Sequence, residues 1–163
     1  MPDMLLSPGS RDDPAPPKFY KTKLGDQQVL LAVVGRHMTG ESHNHELVER
    51  GAQYAGATTT APCYRLYLLP PRSAPLPALV RRPSGSTIDL ELWTLSAAAV
   101  GDLLVGVPAP LGFGRVHLKD GRHVLGFVAE AEAVDAALLS GTAQDITEHG
   151  GWRRRPRHPE EIS

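Results

Sequence analysis

The sequence predicts an α+β fold: a small curled mixed β-sheet or barrel with two or three helices packed on it. Three observations predict it. Seven short segments are apolar or rich in β-branched and aromatic residues, at 29–34, 54–60, 64–69, 78–82, 87–95, 113–118 and 123–128. Only three segments, 43–52, 97–107 and 130–139, carry helical patterning with start or stop signals. The strands arrive largely as hairpins, and two or three helices covering such a sheet is the natural way to bury its face. No internal repeat points to a solenoid.

Each element has its own reason. Residues 29–34 (VLLAVV) are a continuous apolar run, which suits a strand buried on both faces. A polar loop follows: Gly35, Arg36, His37, Met38, Thr39, Gly40. Residues 43–52 form a short helix with Leu47, Val48 and Ala52 on its apolar side and Gly51 near its end. The strands at 54–60 and 64–69 come next, the second ended by Pro70 and Pro71. Residues 78–82 and 87–95 read as two arms of one hairpin around Pro83, Ser84, Gly85 and Ser86. In the second arm Ile88, Leu90 and Leu92 alternate with Asp89, Glu91 and Trp93, the period of a half-buried strand. Ser96 is a favourable N-cap for the helix 97–107, and Pro108 stops it. Residues 113–118 and 123–128 flank Lys119-Asp120-Gly121-Arg122, where Asp-Gly marks a hairpin turn. The helix at 130–139 is closed by Gly141.

The flanks differ from this centre. Residues 1–25 hold Pro2, Pro8, Pro14, Pro16 and Pro17, which helices and strand ladders tolerate poorly. They read as a flexible leader or an arm on a partner. Residues 154–163 read as a polar, solvated tail: Arg153, Arg154, Arg155 and Arg157 are soon followed by Glu160 and Glu161. The folded domain expected between them runs over 26–153.

A chain of 163 residues has the size of one domain and can bury a core without staples. Its net charge of −1 gives no general attraction to nucleic acid or anionic lipid, so neither is an expected partner. No apolar run reaches the roughly 18–20 residues of a membrane span. No secretory signal is visible. The single cysteine, Cys63, cannot form an intrachain disulfide and suits a reducing cytoplasm.

The residues offer several candidate chemistries. His37, His43 and His45 cluster, but His43 and His45 point apart on a helix, and no second group has zinc spacing; no metal or other cofactor is expected. Cys63 reads as a small buried hydrophobe. Neither a serine elbow nor a phosphate loop is present. The strand–loop–helix unit 29–52 carries the best signal. Glycines at both ends of its loop leave amide N–H groups able to cradle a carboxylate or phosphate. Arg36 or His37 would complete the charge match, and histidine passes protons near neutral pH. An ordinary connector with surface histidines explains the same spacing equally well. Thr59-Thr60-Ala61-Pro62 leading into Tyr64-Arg65 places a hydroxyl and a cation on one strand pair, but Tyr64 and Arg65 face opposite sides of a strand, so at most one looks into a given pocket. Glu130 reads as a pocket carboxylate or a helix-start residue favoured by the dipole.

Taken together and in order, these segments resemble the C-terminal domain of allophanate hydrolase. The resemblance is carried by Leu31 to Gly35 with His37, Gly40 and Asn44, by Gly51-Ala52, and by Thr60-Ala61-Pro62 with Tyr64-Arg65-Leu66-Tyr67. Further stretches are Leu92-Trp93, the run from Pro108 to Gly114, Asp120-Gly121 with Gly126-Phe127 and Glu130, and Asp145-Ile146-Thr147 with Gly150-Gly151-Trp152-Arg153. It implies a γ-glutamyl-cyclotransferase-like fold with a pocket at the strand–loop–helix unit. It implies decarboxylation of an N-carboxylated urea-like substrate. His37 would donate the proton; Gly35, Arg36, Met38, Thr39, Gly40 and Asn44 would hold the carboxylate, with Tyr64, Arg65 and Glu130 nearby. It also implies a separate amidase as partner, since the family's amidase machinery is not in these residues, and leaves open whether the domain pairs as a homodimer or serves only as an assembly module. Glutamyl cyclisation is disfavoured because residues 103–108 (LLVGVP) lack a carboxylate. The chain departs from the family's pattern at Glu41, Ser42, His43, Ala129 and His149, which implies an altered substrate.

Overall fold

The computed structural model describes residues 26–71 and 73–162. The proline-rich stretch 1–25 lies outside them. The elements run β1 (Gln28–Val33), α1 (Asn44–Glu49), β2 (Gln53–Thr59), β3 (Tyr64–Leu69), β4 (Leu76–Arg81) and β5 (Asp89–Ser96). Then follow α2 (Ala97–Val105), β6 (Leu111–His117), β7 (His123–Ala129), α3 (Ala131–Leu139) and the short β8 (Gln144–Asp145). Three 3₁₀ turns, Thr147–His149, Trp152–Arg154 and Pro159–Glu161, end the described chain.

The strands form two open sheets, one of five strands in the order β2-β5-β1-β7-β6 and one of three in the order β4-β3-β8. This is the α+β, curled mixed-sheet architecture expected; the sheets do not close into a barrel. β1 holds the centre of the larger sheet, antiparallel to β5 and parallel to β7. Its apolar run explains the position: Leu31, Ala32 and Val33 are completely buried. The parallel contact with β7 depends on Gly126. A Cβ there would stand 2.7 Å from Val116 Cγ2 and 3.0 Å from the Ala32 carbonyl oxygen.

Two expected pairings are corrected. β4 and β5 are not arms of one hairpin: β4 pairs antiparallel with β3, whereas β5 joins β1 and β2 in the other sheet. The Pro83–Ser86 segment is therefore a crossing between sheets. Gly85 packs against the backbone of Cys63 and Tyr64, where a Cβ would come within 2.3 Å of the Tyr64 nitrogen. Likewise β2 and β3 do not pair, so Thr60 and Arg65 do not share a strand pair. Pro77 is tolerated in β4 because that strand is an edge.

β5 also departs from its period-two pattern. Leu90, Glu91, Leu92 and Trp93 are all buried, so both faces are covered. The loop after β1 and Arg153 cover the polar face, as described below. The β6–β7 hairpin forms as expected, with Gly121 at φ 91° in its turn. Ser96 caps α2, its Oγ accepting from the Ala99 amide at 3.1 Å. Val100 and Leu103 anchor that helix, and Val134 anchors α3 over Tyr67 and Val80 of the smaller sheet. Burial of each such side chain stabilises by roughly 1.5–3 kcal/mol.

The tail is only partly solvated. Arg153, Arg154 and Arg157 are exposed, but Arg155 is buried. Its guanidinium carbon lies 3.7 Å from the centroid of the buried Trp152 ring, and its Nη2 donates to Glu161 at 2.7 Å. Stacking and a shielded carboxylate hold a charge that the sequence pattern assigned to water.

Candidate functional site

The loop from Gly35 to Asn44 begins where β1 runs out. Gly35 is required by a neighbour rather than by a turn: a Cβ there would stand 2.2 Å from Pro77 Cγ. Gly40, at φ 82°, does need the left-handed region. The loop closes on itself through backbone bonds from Met38 to Gly35 (3.0 Å) and from His43 to Arg36 (2.9 Å). Met38 is buried in the core. Asn44 Nδ2 donates to the His37 carbonyl at 2.9 Å.

A carboxylate from another element clamps the loop's far end. Glu91 of β5, buried, accepts from the Thr39 amide at 2.9 Å, the Thr39 hydroxyl at 3.0 Å and Trp93 Nε1 at 3.1 Å. Arg153 pairs with its other oxygen at 3.0 Å and also donates to the Thr39 carbonyl. The amides of Met38, Thr39, Glu41, His43 and Asn44 are thus engaged inside the protein. The side chains, not a cradle of loop amides, offer this site its chemistry.

Beside the loop lies a cavity of about 90 Å³. That is the share of about three liquid waters, or room for a ligand of a few heavy atoms. Arg36, His37, His43 and Glu46 form its polar wall, and Pro77, Leu103 and Phe127 its apolar one. The His37 ring stacks on Phe127, centroids 4.7 Å apart and planes 15° from parallel. His37 Nε2 meets Glu46 Oε2 at 2.8 Å. Because the carboxylate accepts, Nε2 carries the proton and Nδ1 is left for a ligand. Helix α1 supplies Glu46 and is pinned by its buried neighbour Leu47.

Burial pushes the His37 imidazolium below its ordinary pKa, and the bond and charge of Glu46 oppose that push; His43 and Arg36 add to the lowering. His43 is lowered by burial and then by Arg36. Burial would raise Glu46, but His37, His43 and Arg50 together hold it below the ordinary carboxylate value. Burial lowers Arg36, with Glu46 opposing. No carboxylate bonds or pairs with the Arg36 guanidinium among the described residues. The cavity therefore combines a cation with no carboxylate bonded to it, an imidazole whose charged form burial disfavours, and a carboxylate that bonds that imidazole.

Of the residues singled out in the sequence, Gly35, Arg36 and His37 line this cavity. Met38, Thr39, Gly40 and Asn44 build the loop. Tyr64, Arg65 and Glu130 are elsewhere. The Tyr64 hydroxyl accepts from the His117 amide at 2.9 Å, Arg65 bonds Asp145 at 2.8 Å and the Ser84 carbonyl, and Glu130 is exposed at the start of α3. Cys63 packs half-buried against the core. Among the described residues, no group of three or more His, Cys, Asp and Glu is placed to hold a metal ion, and no helix is long and apolar enough to cross a membrane. Sequence reasoning missed Glu46, Glu91, Pro77 and Phe127. Glu46 faces His37 only because the helix turns back over the loop, and Glu91 sits at a position that alternation assigns to solvent.

The model of the allophanate hydrolase C-terminal domain matches residues 29–156. Urea amidolyase of Saccharomyces cerevisiae is 35% identical over 128 residues, covering 77% of this chain and 7% of that protein. The structure of Kluyveromyces lactis allophanate hydrolase matches with a TM-score of 0.72 and 34% identity, covering 78% of this chain and 21% of that one. A uropathogenic E. coli-specific protein matches at TM-score 0.68 and 32% identity over 78% of this chain and 94% of its own. An AIG2-like protein of Mus musculus, 14% identical at TM-score 0.51, shares the fold alone. The chain thus spans a small part of the urea amidolyase and allophanate hydrolase it matches, and with that match over its sheets and its loop it belongs to the allophanate hydrolase C-terminal domain family.

Proposed function

We propose that this domain decarboxylates a small N-carboxylated, urea-like substrate. The observation that carries the reading is the single cavity in which the unpaired Arg36 and the His37–Glu46 pair share a wall. Arg36 meets the substrate carboxylate. Protonated His37 gives its Nδ1 proton to the carbamate nitrogen while that nitrogen's bond to the carboxyl carbon breaks. The bonding pair stays on nitrogen and carbon dioxide leaves. A lowered imidazolium pKa makes His37 a stronger acid, and the bond and charge of Glu46 favour its protonated form against burial. The lone cysteine favours a cytoplasmic setting. Cyclisation of a γ-glutamyl group is less well supported: Leu103, Gly106, Val107 and Pro108 line the cavity without a carboxylate, and Glu46 is engaged by His37.

The test is carbon dioxide release from freshly made N-carboxyurea. His37→Ala is expected to lose about 10²–10⁴-fold in turnover, the usual contribution of a positioned acid. Equal rates for wild type and variant would overturn the role of His37. A second reading, an assembly module for a separate amidase, is favoured by the matched relatives being much longer chains. Co-migration with an amidase in light scattering, with no effect of His37→Ala on turnover, would select it.

A further inference from the structure

An open cleft of about 470 Å³ lies where β4 meets the β6–β7 hairpin and the start of α3, and it shares no lining residue with the His37 cavity. Arg81, Arg115 and His117 give it a polar wall, and Val80, Val128 and Ala131 an apolar one. Arg115 and His117, two apart in β6, stand on one face of that strand. Arg81 arrives from β4. Its Nη1 donates to His117 Nε2 at 3.1 Å, so the neutral His117 ring carries its proton on Nδ1. That ring stacks on His123, its partner in the hairpin register, with centroids 3.8 Å apart and planes 4° from parallel.

The positive charge gathered here has no counterpart. Among the described residues, every arginine except Arg36, Arg81 and Arg115 forms an ion pair with a carboxylate. Arg36 lines the His37 cavity; the other two share this cleft. Burial lowers the His117 pKa, and His123 and Arg81 lower it further with no carboxylate to offset them. Glu130, between Ala129 and Ala131, is exposed and does not line the cleft. Two guanidiniums and an imidazole N–H thus stand together with donors and charge to spare for an anion. A carboxylate fills one arginine fork, whereas a phosphoryl group has oxygens for both. The apolar wall leaves room for an organic body, in a volume usual for small-molecule pockets. We propose that this cleft binds a small organic phosphate monoester. Its phosphoryl oxygens accept from Arg81, Arg115 and His117 Nδ1, and its apolar part lies against Val80, Val128 and Ala131.

Phenyl phosphate is the probe, with benzoate, inorganic phosphate and chloride as comparators at matched ionic strength. Titration of the ¹⁵N- and ¹³C-labelled protein is expected to shift the His117 and His123 rings and the Arg81 and Arg115 Nε–H signals together and saturably. Benzoate fills one fork only, and inorganic phosphate leaves the apolar wall bare; each is expected to bind at least about 10-fold more weakly. Arg115 forms no side-chain hydrogen bond or ion pair among the described residues, so Arg115→Gln changes the cleft without removing a native contact. It is expected to weaken phenyl phosphate at least about 10-fold, the loss of hydrogen bonds between charged groups. Arg154→Gln removes an equal charge that is paired with Asp89 elsewhere, and is expected to leave the affinity unchanged. A non-saturating drift that chloride reproduces would overturn the proposal, as would equal affinity of wild type and Arg115→Gln. Benzoate binding as tightly as phenyl phosphate decides against a phosphoryl ligand. Shifts confined to the His37 ring would put the anion in the other cavity and overturn this site while leaving the decarboxylation reading intact.

Discussion

His37 sits between two opposed demands. Burial against Phe127 disfavours its charged form, and Glu46 at 2.8 Å favours it. Replacing Glu46 with Gln removes the favourable partner and leaves the burial, so the His37 pKa falls further. A reaction that needs protonated His37 slows as pH rises through that pKa; in Glu46→Gln the fall in rate is expected at lower pH than in wild type. A pH–rate profile, together with NMR titration of the His37 ring, checks this, and an unmoved profile counts against His37 as the donor. Glu91 poses a different question, since it does not line the His37 cavity and instead holds Thr39, Trp93 and Arg153. Glu91→Gln keeps the shape but turns an N–H₂ toward donors. It is expected to cost about 1–3 kcal/mol in urea unfolding, with faster amide exchange confined to the 35–44 loop. His37 was legible in the sequence as a histidine beside a glycine-ended loop. Glu46 and Glu91 were not, because nothing in linear spacing shows which carboxylate a loop will fold onto.

At the level of elements, the site is a place where the two sheets meet. β1 delivers the loop and β4 delivers Pro77 onto Gly35. Gly35→Ala drives a methyl group into the Pro77 ring. Overpacking of this kind is expected to cost about 1–3 kcal/mol, and it pushes apart the two walls of the cavity. Pro77→Gly removes both the Cγ at 2.2 Å and the Cβ at 2.6 Å, so the double variant should recover part of that loss, a coupling that a thermodynamic cycle measures. Additive effects would mean that the approach is not what makes Gly35 necessary. Most elements were readable: the apolar run of β1, the Ser96 cap and the Asp-Gly turn each have a local cause. The partners of β4 and β5 were misread. Turn residues at 83–86 signal that the chain bends, but not that it passes to another sheet.

For the molecule as a whole, the titrating groups set an acid limit. His37 and His43 are held below their ordinary value of 6.5 in the fold, so the unfolded chain binds more protons there. Their contribution is present above that pH and is lost as pH falls through it. Glu46 and Asp145, also lowered, extend the loss below their ordinary values of 4.5 and 3.8. Denaturant midpoints are therefore expected to fall between about pH 7 and pH 5, and again below. The double variant His37→Asn, His43→Asn should flatten the first decline; an unchanged slope would show that these histidines do not drive it. The sequence by itself determined the element types, the buried centre of β1 and the order of motifs that marks the family, because propensity, capping and apolar periodicity act over a few residues. Only the tertiary structure decided which strands pair, that Arg155 is buried on Trp152, that Tyr64, Arg65 and Glu130 stand apart from the cavity, and that the Gly35–Asn44 loop spends its amides on itself and on Glu91. Those outcomes depend on burial, charge pairing and close approach between residues far apart in the chain, which no local pattern encodes.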